Sequence, residues 1–224
     1  MEPAQSEHLG PVATRVLFDN DAVRVWEMEL APGEVCGWHH HTLDYILCIL
    51  SSASVGALHP GENPPSGKPR GFPLEARAVY FVPAGGIESA HNVGTTRFHE
   101  ALFELKRPAR RGTEHLGYVG CEALAGREPE PGAVTILDNA RVRVSEITLA
   151  PGAQSAPRRY SHDAVAYVAD GGALEVIEHD GAGNEVTRRE AAQSGTVRWY
   201  PRGVRRTFRN TGASRLRQVL LELK

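Results

Sequence analysis

The stretch Pro32–Tyr45, with the sequence PGEVCGWHHHTLDY, contains a turn, three histidines and two acids within fourteen residues. Pro-Gly predicts a turn, and the short apolar run Tyr45–Leu50 predicts a buried strand. We expect this strand to begin at the histidines. On a strand, His39 and His41 lie on one face and His40 lies on the other. Two imidazoles on one face of a sheet form half of a metal site, which is the first indication of function.

Composition, net charge and cysteine count argue against several classes of protein. The chain has 224 residues, of which 41% are hydrophobic, and can bury one large core or two small ones. A net charge of −2 argues against a nucleic-acid-binding surface and favours a small-molecule partner. Three cysteines do not form a disulfide framework. Because no signal peptide and no apolar run of about 20 residues is found, we expect a cytoplasmic protein without membrane contact.

The chain contains an internal repeat. LFDN from Leu17 and ILDN from Ile136 begin 119 residues apart, and FELK from Phe103 and LELK from Leu221 begin 118 residues apart. The motifs VRV and LAPG recur between them. The repeat predicts two domains, 12–106 and 132–224, joined by a linker at 107–131 that is rich in Gly, Pro and charge.

Each copy consists of short apolar runs separated by Gly, Pro, Asn and Asp, without a 3.6-residue period, which predicts an all-β antiparallel sandwich or barrel. The two copies differ in the segments that lie between these shared motifs. Glu178–Glu185 in the second copy predicts a hairpin. His59–Gly71 in the first copy is a Pro/Gly-rich loop, for which a lid over a site and a solvated excursion without a role are both open.

With both motifs identified, the chain resembles a bicupin. The cupin pattern is G-x5-H-x-H-x3,4-E followed by P-x-G-x2-H-x3-N, and matching positions are Gly33, His39, His41, Pro83, Gly85 and Asn92 in the first copy and Gly152, Pro201, Gly203 and Asn210 in the second. The resemblance implies two tandem cupin barrels of the jelly-roll, or double-stranded β-helix, type. It also implies a possible homodimer, because cupins often pair through sheet edges. The run GWHHHTLDY and the ending ELK are similar to small single cupins associated with β-alanine degradation.

The resemblance also implies a metal site, with departures from the family pattern. The family's ligand glutamate falls at Tyr45, and the histidine of the second motif falls at Glu88. The expected ligands are therefore His39, His41 and Glu88, a set of two histidines and one carboxylate for one divalent transition metal (Fe, Zn, Mn or Ni). His91 is the rival to Glu88, but it stands an odd number of residues further on and should point out of the barrel unless a bulge intervenes.

Asp44 is a less favoured ligand. It precedes the family's glutamate position by one residue, and on a regular strand it lies on the opposite face. It recurs as Asp163 in the copy that has no histidines at these positions. A residue that is kept where the site is gone indicates a structural role.

The roles of three further residues are left open. Tyr45 could supply a hydroxyl in catalysis or fill the barrel. Arg158 and Arg206 occupy ligand positions of the second copy, beside Tyr160 and Ala164, so no metal site is expected there. The two arginines could bind a carboxylate or phosphate, or they could pair with acids such as Glu146 or Asp163 and fill the barrel. His99 is interpreted as a surface histidine, although its strand could line the barrel.

The leading functional hypothesis is a metal-dependent enzyme that oxidises a small organic molecule in the first barrel, in the manner of a non-haem iron dioxygenase. Isomerisation or hydrolysis at the same metal is also open. The alternatives are a non-catalytic ligand-binding or regulatory cupin, and a metal-independent isomerase, cyclase or hydrolase that uses Tyr45, Glu88 or His41 as acid and base. Bound metal separates the first hypothesis from the other two.

Overall fold

The structure is a computed structural model, and it describes residues 9–108, 116–180 and 184–224. Every regular element in these ranges is a β-strand. The first repeat forms β1 (Arg15–Asp19), β2 (Val23–Leu30), β3 (Val35–His40), β4 (Tyr45–Ser51), β5 (Ala53–Leu58), β6 (Phe72–Leu74), β7 (Val79–Val82), β8 (Ile87–Asn92) and β9 (Phe98–Leu105). The remaining strands are β10 (Val119–Cys121), β11 (Gly132–Asp138), β12 (Val142–Leu149), β13 (Arg158–Arg159), β14 (Asp163–Asp170), β15 (Ala173–His179), β16 (Glu185–Ala191), β17 (Val197–Tyr200), β18 (Arg205–Asn210) and β19 (Leu216–Leu223). The described part of the chain contains no helix long and apolar enough to cross a membrane.

Each repeat folds into two antiparallel sheets. In the first repeat the orders are β1-β2-β9-β4-β7-β10 and β3-β8-β5-β6. In the second they are β11-β12-β19-β14-β17 and β13-β18-β15-β16. Apart from β10, each strand of the first repeat has a counterpart at the same place in the second. The prediction of an all-β chain with two tandem jelly-roll barrels is therefore confirmed.

The Pro-Gly turns hold the two motifs of each copy together. Gly33 and Gly152 have φ angles of +84° and +76°, a conformation that glycine adopts without steric cost. The Gly33 N–H donates to the carbonyl of Asn92, and the Gly152 N–H donates to that of Asn210, each at 2.9 Å. The start of the first motif is thereby joined to the end of the second, so that β3 and β8 lie side by side.

One expectation about the first motif is wrong. The histidines do not lie at the start of the strand that contains Tyr45. They belong to the end of β3, at His40, and to the turn after it, whereas β4 begins at Tyr45 in the opposite sheet. The turn between them carries the chain across the barrel. His41 is held at this crossing by two backbone hydrogen bonds, from its N–H to the Gly86 carbonyl at 2.9 Å and from the Gly85 N–H to its own carbonyl at 2.7 Å.

Part of the expected linker belongs to the first barrel. The first compact unit comprises residues 9–108 and 116–127 of the described chain, and the second comprises 128–180 and 184–224. Within 116–127, β10 pairs with β7, and the Tyr118 ring stacks on Tyr80 with centroids 6.0 Å apart. The Tyr80 hydroxyl donates to Glu122 at 3.0 Å. Aromatic packing and one hydrogen bond thus attach this segment to the barrel wall.

The sequence predicts a hairpin in the second copy and a Pro/Gly-rich loop in the first, and the structure bears on each of them differently. The strands of the predicted hairpin are present, since β15 pairs with β16 and His179 stands opposite Glu185; residues 181–183 lie outside the described residues. The Pro/Gly-rich loop His59–Gly71 connects β5 to β6, and His59 at its start lines the main cavity of the first unit. Its role as a lid stays a prediction.

The core of the first unit lies between its two sheets. Inward-facing apolar residues come from both of them, including Met28, Leu30, Ile49, Ala90 and Phe98. Burial of such side chains is the main source of stability for a barrel of this kind. We therefore expect the sheets to tolerate the exchange of single polar residues near the cavity.

Candidate metal centre

His39 and Glu88 stand opposite each other on neighbouring strands. They are register partners between β3 and β8, and the register shifts by one residue between Cys36 and His39. This bulge turns the His39 ring into the barrel, where the side chain has no exposed surface. Its Nε2 atom lies 3.8 Å from Oε1 of Glu88.

His41 completes the group. Its Nε2 atom lies 3.6 Å from the same Glu88 oxygen, and one ligand atom from each of the three residues lies within 4.8 Å of the others. The Tyr45 ring stacks face to face on the His41 ring, with centroids 4.1 Å apart and planes 16° apart. Tyr45 is buried and thereby holds the imidazole in place. The structure brings together the three residues that the sequence singles out.

The hydrogen bond of His39 prepares its other nitrogen for a cation. Nδ1 lies 2.7 Å from the Gly37 carbonyl, which can only accept, so Nδ1 carries the proton. In the neutral ring the lone pair is then on Nε2, a buried atom that has no hydrogen-bond partner among the described residues. Metal-bound histidines commonly have this arrangement, with one nitrogen bonded to a carbonyl and the other to the metal. The site therefore fits a metal ion.

Electrostatics around Glu88 also suits a cation. Burial raises the pKa of its carboxyl, but the adjacent imidazoles of His39 and His41 lower that pKa by more, so that Glu88 is ionised at neutral pH. Burial lowers the pKa of His39, while contacts with Cys36 and Glu88 raise it above its ordinary value. In the metal-free protein a proton on His39 thus balances the carboxylate charge, and a bound cation would replace that proton.

The three residues form one wall of a cavity of about 600 Å³. Most of the surrounding side chains are apolar or aromatic, and the polar groups are few. The lining includes Met28, Leu47, Val55, Leu74, Ala90, Phe98 and Leu102, the aromatic residues Tyr45, Phe72, Tyr80 and Tyr118, and the acids Glu88, Glu100 and Glu122. A concave, mostly apolar space with convergent polar groups is typical of a small-molecule site.

Similarity to known proteins is found in structure and not in sequence. No protein-family model and no curated protein sequence matches this chain. The vicilin of Solanum melongena aligns with a TM-score of 0.65 at 15% identity, over 90% of this chain and 74% of that one. The oxalate decarboxylase of Bacillus subtilis, which has Mn(II) centres, aligns with a TM-score of 0.64 at 12% identity, over 91% and 69%. AerE from Microcystis aeruginosa aligns with a TM-score of 0.61 at 10% identity, over 95% and 97%.

All three proteins are cupins, and the vicilin and the decarboxylase each contain two cupin barrels. This chain has the bicupin fold. Identities of 10% to 15% show the fold alone, so the chemistry must be argued from the residues of the site.

The second barrel of the bicupin fold has ion pairs where the first has its candidate ligands. Arg158 and Arg206 are register partners, as His39 and Glu88 are in the first barrel. Arg158 donates to Glu222 at 2.8 Å. Arg206, which is almost completely buried, donates to Glu178 at 2.9 Å and to the Pro201 carbonyl at 3.0 Å.

The acids that pair with these arginines differ from those suggested by the sequence. Glu146 pairs with Arg217 at 3.2 Å, and Asp163 accepts from the backbone N–H of Arg202 at 3.0 Å. Glu178 is instead the register partner of Arg206 on β15, so the sheet itself places the two side by side. Tyr160 and Ala164 belong to the apolar core of this barrel. Anion binding by the two arginines stays a prediction, and it requires their ion pairs to open.

His91 and His99 lie away from the cavity. His91 pairs with the exposed Val35, and its Nε2 lies 3.2 Å from the Ser89 hydroxyl. His99 contacts Glu27 at 3.0 Å on the outer face of the other sheet. Neither residue lines the cavity that Glu88 lines.

Glu100 is a cavity residue that the sequence reasoning missed. It lies between Phe98 and Leu102 on the inward face of β9, with 4% of its surface exposed. The available signal was an acid at an inward position of β9, between the apolar residues Phe98 and Leu102. The adjacent residue, His99, was considered as a residue that could line the barrel, but it lies on the outer face of the sheet. Tyr118 and Glu122 were missed because their segment was assigned to a linker.

Asp44 accepts a hydrogen bond from the backbone N–H of Ala84 at 3.0 Å, and its counterpart Asp163 accepts one from Arg202 at the same distance. Both bonds tie the start of a strand to the Pro-x-Gly turn. We expect Asp44→Ala and Asp163→Ala each to lower the free energy of unfolding by roughly 0.5–1.5 kcal/mol, because each change removes a hydrogen bond to the amide of the turn. Urea denaturation measures this loss. Metal affinity should be the same in Asp163→Ala as in the wild type, and a change of metal affinity in Asp44→Ala alone would indicate a ligand role.

Proposed function

We propose that the first barrel holds one divalent transition metal through His39, His41 and Glu88 and uses it to act on a small organic molecule. The observation that carries the proposal is the convergence of two imidazole Nε2 atoms and one carboxylate oxygen at the wall of the cavity. The proposed chemistry is oxidation of the non-haem iron type. By analogy with other cupins, we include a homodimer in the proposal.

His39, His41 and Glu88 would hold the metal, which would supply Lewis-acid or dioxygen chemistry next to the cavity. The protein residues prepare the site for this. The Gly37 carbonyl sets the tautomer of His39, Tyr45 fixes the ring of His41, and Glu88 supplies a negative charge. The mostly apolar lining lowers the local dielectric constant, which strengthens electrostatic interactions at the site.

The alternative is a ligand-binding cupin without catalysis. The structures that share this fold include the oxalate decarboxylase but also vicilins and an 11S globulin. The fold alone therefore does not favour the enzyme over the ligand-binding protein. Bound metal favours the first proposal. A cavity that takes a ligand without metal favours the alternative.

Metal content tests the proposed function directly. Purified without chelator, the protein should contain up to one equivalent of a divalent transition metal per chain, because Arg158, Tyr160 and Arg206 replace the ligands in the second barrel. Elemental analysis by mass spectrometry measures the content. Two equivalents per chain would contradict the single site, and a protein that takes up no Fe, Mn, Zn or Ni after dialysis against each would contradict the metal-dependent function.

A further inference from the structure

Glu100 is a buried acid without a partner. Only 4% of its surface is exposed, and it forms no hydrogen bond or ion pair with any residue in the described part of the chain. Its register partners are Met28 on β2 and Ile49 on β4, so its immediate surroundings in the sheet are apolar. A buried polar group normally has a hydrogen-bond partner, and an unpaired one carries a cost of desolvation. The space open to a partner of Glu100 is the cavity that its side chain lines.

The position of Glu100 suggests where its partner comes from. The side chain lines the same cavity as His39, His41 and Glu88, so a molecule in the cavity can reach both the candidate metal centre and this acid. Burial and the nearby Glu88 carboxylate raise the pKa of Glu100 to about 8, while His39 lowers it. A cationic partner in the cavity would therefore favour the ionised form of Glu100.

We propose that Glu100 recognises the substrate by binding an amino group, and that the substrate class of this barrel is an amine with an apolar body. Among the described residues that line the cavity there are three acids and no lysine or arginine. An ammonium group forms a charge-assisted hydrogen bond with a carboxylate and is also attracted to aromatic faces such as those of Tyr80 and Phe98. The apolar body would pack against Met28, Leu47 and Leu102. An anionic group would meet the carboxylates Glu88, Glu100 and Glu122, and the charge of the protonated His39 ring is already balanced by the adjacent Glu88.

The second barrel provides an internal comparison. Its counterpart of Glu100 is Gln218, which is also fully buried and whose amide nitrogen and oxygen both lack partners. Gln218 pairs with Ile147 and Val168 as Glu100 pairs with Met28 and Ile49. A glutamine is therefore compatible with this place in the barrel, and Glu100→Gln removes the charge while it keeps the shape.

The inference rests on the proposed function in one respect, that the same cavity is the substrate site. Its test is done on metal-free protein, after treatment with a chelator, so that metal content does not enter the result. Benzylamine, benzyl alcohol and benzoate are probes of nearly the same size that differ in charge. Isothermal titration calorimetry measures the affinity of each for the wild type, for Glu100→Gln and for Glu122→Gln, which removes a different acid from the same cavity.

We expect the wild type to bind benzylamine about 10-fold or more tightly than benzoate, and Glu100→Gln to lose about 10-fold in affinity for benzylamine. Affinity for benzyl alcohol should change by less than about 3-fold. Glu122→Gln should keep the preference for the amine, because the Glu122 carboxylate is bonded to the Tyr80 hydroxyl. If thermal melting shows that Glu100→Gln is unfolded, Glu100→Leu carries the same test.

Three results would overturn the inference: tighter binding of benzoate, an unchanged amine affinity in Glu100→Gln, or no binding of any probe at millimolar concentration. The two proposals can fail separately. A protein that prefers benzylamine but takes up no metal refutes the metal-dependent function alone. A protein that takes up metal but prefers benzoate when metal-free refutes the role of Glu100 alone.

Discussion

His39→Ala should lower the metal affinity of the protein by more than about 100-fold, since loss of a residue that only orients a ligand already costs 10- to 100-fold. His39 supplies a buried nitrogen whose lone pair is oriented by the Gly37 carbonyl. An alanine leaves two ligands and a space that water can enter. We expect the same result for His41→Ala. Competition with a chelating dye measures the affinity.

The matched control for this experiment is His40→Ala. His40 is half-buried, is adjacent to both ligands in sequence and does not line the cavity. It should leave metal affinity within about 3-fold of the wild type. The far-ultraviolet circular dichroism of all three variants should remain that of a β-protein, because the apolar core between the sheets is unchanged. A His39→Ala protein that keeps its metal would place the site elsewhere, and one that does not fold would make His39 a structural residue.

Glu88 should behave as the third ligand. Glu88→Ala is expected to weaken metal binding by about as much as the loss of a histidine, again by more than about 100-fold. Glu88→His should restore most of the affinity, because an imidazole at this position completes the three-histidine set of the cupin pattern. The reason lies in the register, which sets Glu88 opposite His39 with its carboxylate oxygen 3.6–3.8 Å from both imidazole Nε2 atoms.

His91→Ala is the control for Glu88, since the two residues lie on the same strand and were rivals for one role. The His91 ring contacts the Ser89 hydroxyl outside the cavity, so its loss should change metal affinity by less than about 3-fold. Equal metal affinity in the wild type and in Glu88→Ala would refute the assignment. A loss in His91→Ala instead would mean that β8 has a different register in solution.

The two copies within one chain separate structural residues from site residues. Asp44 and Asp163 make the same bond to the same turn, and Asn92 and Asn210 bond the carbonyls of Leu30 and Leu149 in the same way. These contacts are present in both barrels, whereas the imidazoles are present in one. The polar contacts common to both barrels therefore maintain the fold, and those particular to the first barrel are the candidates for function.

The sequence by itself determined the repeat, the all-β class and the pairing of the His-x-His motif with the Pro-x-Gly turn. These features are local, since turn residues and short apolar runs act within a few positions of the chain. The parity of strand positions was also sufficient to prefer Glu88 over His91, because β8 is regular from Ile87 to Asn92.

Only the tertiary structure decided which strands the ligands occupy and what surrounds them. The bulge between Cys36 and His39 and the crossing from β3 to β4 depend on pairing with β8, which lies about fifty residues away in the chain. The attachment of β10 through Tyr80 and the isolation of Glu100 in the cavity likewise arise from contacts across the barrel. A two-residue period identifies the face of a strand on which a side chain lies, but the side chains that meet it there are set by the packing of the two sheets.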